Sequence, residues 1–364
     1  MRMTDDPAGA VVRDTIAIRD DEDFDHDRLV AFLRGRLPGS DRPLTVRQFG
    51  GGHANLTYLL EFGDLEYVLR RPPLGPVAAG AHDMGREYRV LSVLHRAYPL
   101  APRALLYCDD PAVIGAPFFV MERRRGTVVR LTIPPEFGGG ADPVANRRLS
   151  EALIDALADL HAVDYRAIGL EGLGKPEGFL RRQIDGWAQR YERARTREVP
   201  VVREIVEWLR AEQPTSPPAT LLHNDWRLDN IMVDSADPGR VVAVFDWDMC
   251  TLGDPLADLG TLLSAWREAG EEMAGMTAGS MPSTVPGFLT RREAVARYGA
   301  RRGVDVSTVP YYYVFGLFKI AVVLQQIFHR YHLGQTKDQR FAIFDQIAEM
   351  LFVHARERSR SPGL

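Results

Sequence analysis

The chain has 364 residues, too many for one ordinary domain and suited to two lobes or to one large core with insertions. Apolar residues make up 45% and charged residues 26%, the balance of a globular protein and not of a disordered one. A formal net charge of -4 excludes whole-molecule attraction to nucleic acid or to an anionic membrane, so neither is expected as a partner.

Residues 1–26 are polar and acidic and lack the apolar stretch of a signal peptide, so they read as a polar N-terminal segment. "FDHDRLVAFLRGRL" has an Asp-rich start and apolar residues at helical spacing, which predicts a helix. "LTVRQFGGGHANLTYLLEFGDLEYVLRRPP" alternates, is rich in β-branched and aromatic residues and is broken by glycines; it reads as an antiparallel meander. An amphipathic helix, "HDMGREYRVLSVLHRAY", and a buried strand, "APFFVMERRRGTVV", follow. From about Arg147 the periods are mostly helical, apart from "NIMVDSADPGRVVAVFDWD", two short strands around an Asp-Pro-Gly turn. The stretch 271–287 reads as a loop, and the apolar run "YYYVFGLFKIAVVLQQIF", interrupted by Lys319, as a buried helix and not a membrane span. Cys108 and Cys250 have apolar or small neighbours and are expected as buried free thiols in a cytoplasmic protein. The expected organisation is α+β: 1–26 a polar segment, 27–122 a small β-rich lobe, and 123–364 a larger helical lobe.

The chemistry concentrates in "LLHNDWRLDNIMV". Asp225 on a short loop can accept a proton from a hydroxyl nucleophile. The Asn230 side-chain oxygen and Asp246, sixteen residues further on at the exit of the second hairpin strand, can both bind a hard cation. That combination suits phosphoryl transfer, which requires an oriented hydroxyl and offset charge on the phosphates. A buried His with a turn-forming Asx pair is the structural alternative.

"LLHNDWRLDNIMV…VVAVFDWDMCTLGDPLADLG" resembles the catalytic segment of the aminoglycoside phosphotransferase and choline kinase-like family, relatives of protein kinases. With "GGGHANLTYLL", "YVLRRPP", "HDMGREYRVLSVL", "PFFVMERRRG", "LADLHAVD" and "IFHRYHLGQT", the chain is more narrowly similar to the phosphotransferase domain associated with acyl-CoA dehydrogenases. The resemblance implies a bilobal, protein kinase-like fold, ATP and Mg²⁺ as cofactors, a small-molecule hydroxyl acceptor and a functional link to acyl-CoA dehydrogenases. It implies that Asp225 is the base and that Asn230 and Asp246 hold Mg²⁺. Arg227 would lie near the transferred phosphoryl group or pair with Asp229; His223 and Asp258 would brace the loop, and Asp254 would cap the next helix. Asp248 is open between metal ligand and loop hydrogen bond.

In the first lobe the resemblance assigns the nucleotide to the turn at Gly51, Gly52, His53 and Asn55, and to Arg70 where kinases carry Lys. Glu87 would be the partner of Arg70, Arg71 is the rival position, and Met121, Glu122 and Arg123 would form the adenine hinge. The acceptor is expected to be a hydroxy acid or hydroxyacyl-CoA. Met273, Met276 and Met281 would close over its chain, and His329 and Arg330 would meet its carboxylate or thioester. An aminoglycoside or other antibiotic phosphotransferase, a nucleotide-binding pseudokinase or scaffold, and a metal-dependent hydrolase are the alternatives. ATP against GTP and the oligomeric state are not legible.

Overall fold

Alternating apolar and polar residues, cut by turn-forming glycines, give the first part of the chain a sheet, and helical periods give the rest a bundle. In a computed structural model, residues 14–50, 55–74, 82–271, 281–361 and 363–364 are described. Gly51, Gly52 and His53, expected at the phosphates, and Met273 and Met276, expected over the acceptor, lie outside those residues. The chain divides into two compact units, residues 1–95 with 102–124, and residues 96–101 with 125–364.

The first unit contains β1 (Thr15–Ile16), α1 (His26–Leu33), β2 (Thr45–Phe49), β3 (Leu56–Phe62), β4 (Leu65–Arg71), α2 (Met84–Leu94), β5 (Ala104–Cys108), α3 (Pro111–Ile114) and β6 (Phe118–Glu122). The strands form one antiparallel sheet in the order β1-β2-β3-β4-β6-β5. Gly63, with φ 68°, makes the tight β3–β4 turn that sets the register Phe62↔Leu65 through Leu56↔Arg71. Tyr58, Leu60, Phe62, Tyr67 and Leu69 bury against Leu29 and Leu33 of α1. The segment expected as a polar tail up to residue 26 is partly built into this sheet. Thr15–Ile16 pairs with β2, the Arg19 amide donates to Gln48 Oε1 at 3.0 Å, and Tyr58 donates to the Glu22 carbonyl at 2.6 Å.

The second unit contains β7 (Thr127–Val128), α4 (Pro143–His161), α5 (Phe179–Ala194), α6 (Val201–Ala211), β8 (Thr220–Leu222), β9 (Ile231–Asp234), β10 (Asp237–Val244), β11 (Thr251–Gly253), α7 (Pro255–Ala265), α8 (Arg291–Arg302), α9 (Val309–His332) and α10 (Phe344–Arg360). Strands β10, β9 and β7 form one small sheet and β11 with β8 another. The hairpin turn sits at Ser235 and Ala236, two residues before the expected Asp-Pro-Gly turn. Pro238 has no amide to donate, so Asp237–Gly239 falls in an irregular stretch at the start of β10, where the register shifts.

Helix α9 is long and apolar enough to cross a membrane by length and composition, but 67% of that stretch is buried within the protein. It packs backbone against backbone on α7. A Cβ added to Gly260 would lie 2.2 Å from the Tyr312 carbonyl, and one added to Gly316 2.3 Å from the Gly260 carbonyl. That close approach holds α7 and α9 together where each reaches the loop between β8 and β9, α7 through Asp258 and α9 through Lys319. Both cysteines are buried and free. The loop after α7 is anchored from residue 281 onward. Met281 is buried and donates to the Ala265 carbonyl at 3.1 Å, and the Ser283 hydroxyl both accepts from the Arg267 amide and donates to its carbonyl.

Candidate functional site

The loop from His223 to Asn230 leaves β8 and returns through a single helical turn, Leu228–Asn230, into β9. Asn224 there has φ 68°, a left-handed conformation that Asn adopts more readily than most residues. Its position is fixed from three sides. Its amide donates to Asp258 Oδ1 at 2.7 Å, its side chain donates to the Met249 carbonyl at 2.9 Å, and its own carbonyl accepts from Lys319 Nζ at 3.0 Å. Asp258 Oδ2 also accepts from the His223 amide at 2.7 Å and contacts His161 Nε2 at 3.3 Å. Burial alone would raise the Asp258 carboxyl, but the hydrogen bond from His161 and the His223 amide hold it below the usual carboxylate range.

His223 is fully buried and both of its ring nitrogens are engaged. Nδ1 accepts from the Asp225 amide at 3.3 Å, and Nε2 lies 2.8 Å from the Phe245 carbonyl, to which it must donate. The ring is thereby a strut between the loop and the end of β10, with both nitrogens occupied by backbone groups. Trp226 and Trp247 pack edge-on against it at 5.5 and 4.9 Å between ring centroids.

Asp225, Asn230 and Asp246 are brought together by this scaffold. Asn230 Nδ2 donates to the Asp225 carbonyl at 2.8 Å and to Asp225 Oδ2 at 2.9 Å. With its nitrogen so committed, the Asn230 amide presents Oδ1 as its remaining polar atom. The Phe245 amide donates to the Asn230 carbonyl at 2.9 Å, which puts Asp246 at the very next position beside the loop. Asp246 itself has φ 66°, a conformation costing a non-glycine residue of order 1 kcal/mol and concentrated at functional sites. Two carboxylates and one amide oxygen fall short of a self-sufficient metal cage. Among the described residues, no group of three or more His, Cys, Asp and Glu side chains could hold an ion alone. Magnesium bound through nucleotide phosphates needs only one or two protein carboxylates, and this donor set suits it.

Arg227 is engaged by Asp229, with Nε to Oδ1 at 2.8 Å and Nη2 to Oδ2 at 2.6 Å. Burial works against its charge, and Asp229 outweighs that and keeps it cationic. Of its two sequence readings, the ion pair is the one the structure contains. Asp254 caps α7 by accepting from the Leu256 amide at 3.0 Å.

In the first unit, strand alternation places Arg70 and Arg71 on opposite faces of β4. Arg70 Nε meets Glu87 Oε2 of α2 at 3.2 Å, and both side chains are buried. Arg71 points the other way, donating to the Ile114 carbonyl at 3.1 Å on the face that α1 covers. Asn55 is buried at the start of β3. Its Oδ1 lies 2.8 Å from His82 Nδ1, and its Nδ2 has no hydrogen-bond partner among the described residues. Met121 is buried in β6, and the Glu122 amide is already bonded to the Arg103 carbonyl at 3.0 Å, which withdraws that donor from an adenine. The Arg123 guanidinium pairs with Asp14 and stacks 4.9 Å from the Phe49 ring centroid.

Three residues of this arrangement were not singled out in the sequence as parts of the site. Asn224 carried one signal, since Asn is enriched in left-handed backbone. His161 and Lys319 reach the loop from α4 and α9, and a cation inside an apolar helix was the only trace of the second. At the far end of α9, His329 Nδ1 is buried without a hydrogen-bond partner among the described residues, and Arg330 is exposed.

The model of the phosphotransferase enzyme family matches residues 45–287 of the chain. Acyl-CoA dehydrogenase family member 11 of Gallus gallus is 33% identical over 96% of this chain but only 45% of its own length. The chain thus spans less than half of the curated relatives it matches. A solved Ralstonia eutropha protein, provisionally described as an aminoglycoside phosphotransferase, is 29% identical, covers 94% of this chain and 100% of its own, and superposes with a TM-score of 0.78. A thermostable aminoglycoside phosphotransferase mutant, solved with AMP-PNP and hygromycin B, is 16% identical, covers 92% of this chain and 99% of its own, and has a TM-score of 0.58. At that identity the likeness is one of fold. The fold is the α+β, two-lobed, kinase-like one of aminoglycoside phosphotransferases and choline kinases, and the chain belongs to the phosphotransferase enzyme family, a family of small-molecule kinase-like proteins.

Proposed function

We propose that the chain is an ATP-dependent kinase that transfers the γ-phosphoryl group to a hydroxyl on an acyl chain, either a hydroxy acid or its CoA thioester. The observation that carries this reading is the convergence of Asp225, Asn230 and Asp246, fixed by the 2.9 Å hydrogen bond between Asn230 and Asp225 and by the Phe245 amide on the Asn230 carbonyl. Asp225 takes the proton of the acceptor hydroxyl as the new oxygen–phosphorus bond forms. The bond from the γ-phosphorus to its bridging oxygen breaks, and ADP leaves with that oxygen. Asn230 Oδ1 and Asp246 are suited to hold Mg²⁺, which offsets charge on the phosphate oxygens when bound with the nucleotide. Asn55 Nδ2, without a partner among the described residues, and the buried Arg70, held by Glu87, are groups of the first unit suited to phosphate.

Several features support the acceptor and its setting. The relatives named acyl-CoA dehydrogenases contain a domain like this chain, and phosphorylating a hydroxyl turns a poor leaving group into a good one on the way to an unsaturated acyl product. A dehydrogenase joined to the kinase or acting beside it is the partner this chemistry suits. Two buried free thiols fit a reducing, cytoplasmic setting.

The test is a panel of hydroxy acids, their CoA thioesters, amino alcohols and aminoglycosides, offered with ATP and Mg²⁺ and read by mass spectrometry. Phosphorylated acyl product is expected. Phosphorylated aminoglycoside with no acyl product would overturn the acceptor assignment. A Mg²⁺ titration of Asp246→Ala and Asn230→Ala tests the metal assignment. Turnover should be abolished in the first variant and weakened in the second, because a neutral amide oxygen contributes no charge. An unchanged Mg²⁺ requirement in Asp246→Ala would remove that residue from the site.

A further inference from the structure

Lys319 is the only charged residue within the apolar body of α9, and its ammonium reaches the residue immediately before the base, donating to the Asn224 carbonyl at 3.0 Å. An ammonium has three donors, and one is used there. Among the described residues no carboxylate lies within ion-pairing distance of it. Its surroundings are aromatic and cationic. Nζ lies 5.8 Å from the Trp187 ring centroid, the exposed Arg190 guanidinium lies 4.6 Å from the same centroid, and the buried Trp187 Nε1 has no hydrogen-bond partner among the described residues. Burial pushes the Lys319 ammonium down, Asp258 and Asp225 pull it partly back, and Arg190 adds repulsion. Burial of this ammonium is offset only in part by Asp258 and Asp225, and a fold that needed only to hold the Asn224 carbonyl could do so with a neutral donor.

We infer that Lys319, with Trp187 Nε1 and Arg190, recognises an acyl oxygen of the acceptor, a carboxylate or a thioester carbonyl, next to the hydroxyl addressed by Asp225. This rests on the acyl acceptor proposed above and deepens it by naming the residues that select it. A cation beside the base disfavours an acceptor that carries its own ammonium, so amino alcohols and aminoglycosides are rejected by charge. His329 and Arg330 do not serve this oxygen, because ten helical residues place them about 15 Å further along α9. Lys319 is thus a specificity residue of the acceptor site.

The experiment uses the full chain with ATP and Mg²⁺ and compares kcat/KM for four acceptors: a hydroxy acid, its CoA thioester, the alkanol of the same chain length without the acyl oxygen, and an amino alcohol. The wild-type protein should prefer the acyl acceptors. In Lys319→Met their kcat/KM should fall at least tenfold further than that of the alkanol, mainly through KM. Lys319→Arg should restore part of the loss. The ratio of acid to thioester tells which oxygen source is taken. An equal fall for acyl acceptor and alkanol would reduce Lys319 to a support for Asn224, overturning the inference and leaving the acyl acceptor standing. A wild-type protein that phosphorylates only amino alcohols or aminoglycosides overturns both. If Lys319→Met does not fold, Arg190→Gln at its exposed position decides. A KM that rises severalfold for the acid alone supports the inference, and a KM that does not move overturns it.

Discussion

The two units hold their polar groups in different ways. In the helical unit the loop around Asp225 is built from the inside. Asp258 takes both backbone amides of His223 and Asn224, His223 spans from the Asp225 amide to the Phe245 carbonyl, and Lys319 holds the Asn224 carbonyl. In the sheet unit the corresponding features are the buried ion pair of Arg70 with Glu87 and an Asn55 donor without a hydrogen-bond partner among the described residues. The first arrangement satisfies its own polar groups and presets its geometry. The second leaves hydrogen-bonding capacity for a ligand to take up. Preorganised dipoles are what a group moving a proton requires, and unsatisfied donors are what a phosphate tail requires. Substitutions in the two units should therefore separate turnover from nucleotide binding.

The largest effect is expected at Asp225. Asp225→Asn keeps the shape of the loop but removes the proposed proton acceptor, and loss of a general base typically costs about 10²–10⁴-fold in rate. Nucleotide affinity, measured by calorimetry, should change little. Near-normal turnover in this variant would break the comparison at its base, because the preset loop would then be preset for something other than proton transfer.

Next is Asp258→Asn. The fully buried carboxylate accepts two amides at 2.7 Å, and replacing it puts an NH₂ against at least one of them. Hydrogen bonds to a charged group contribute about 1.5–3 kcal/mol each, so a stability loss of roughly 3 kcal/mol is expected in denaturant titration, together with a fall in kcat. If kcat falls without any loss of stability, the loop is not held by this carboxylate in the way its geometry implies.

Glu87→Gln sharpens the other side. It removes the negative charge that Arg70 Nε meets at 3.2 Å within the sheet unit, and the expected result is a higher KM for ATP by about tenfold, in line with about 1.5 kcal/mol for a charged hydrogen bond. Turnover at saturating ATP should be affected less. A kcat loss as large as that of Asp225→Asn, with KM unchanged, would erase the distinction between the units.

What the sequence disclosed follows the same division. Local periodicity sufficed for the meander, for α1, α2, α4, α5 and α6, and for the hairpin, because those elements bury one regular face. The spacing from Asp225 to Asn230 and on to Asp246 was legible for a similar reason: a short loop and the hairpin after it leave few ways to arrange three residues so close in the chain. Of the groups that brace the loop, His223 and Asp258 were named through the family resemblance, and His161 and Lys319 were not. His161 comes from α4 and Lys319 from α9, both far away in the chain, and what brings Lys319 in is backbone contact between α7 and α9 at Gly260 and Gly316, which no pattern in α9 announces. Strand β5 was missed because Leu105, Leu106 and Tyr107 in it are only partly buried and do not alternate. The polar segment before α1 joins the sheet through Gln48, Tyr58 and Arg47, side chains of other strands that lend it hydrogen bonds it cannot make alone.

The smallest effect expected concerns pH and the inner support of the loop. Burial pushes His161 below its ordinary value and keeps it neutral, with Tyr298 at 2.7 Å on Nδ1 and Asp258 at 3.3 Å on Nε2. The folded pKa of a histidine depressed in this way lies under the unfolded value of about 6.5. Its contribution to stability is fully present above that pH and is lost as pH falls through the folded pKa, because the unfolded chain takes up the proton first. The slope from one such group is at most about 1.4 kcal/mol per pH unit. The Asp258 carboxyl, also depressed, adds a second loss of the same sign in a more acidic window, below about pH 4. Stability measured by urea titration from pH 8 to pH 4 should therefore decline below pH 6.5 in the wild-type protein. His161→Asn should be less stable at pH 8 but flatter between pH 6.5 and the onset of Asp258 protonation. Parallel curves for the two proteins would show that His161 is not the group titrating, and that the loop owes its acid sensitivity to another histidine.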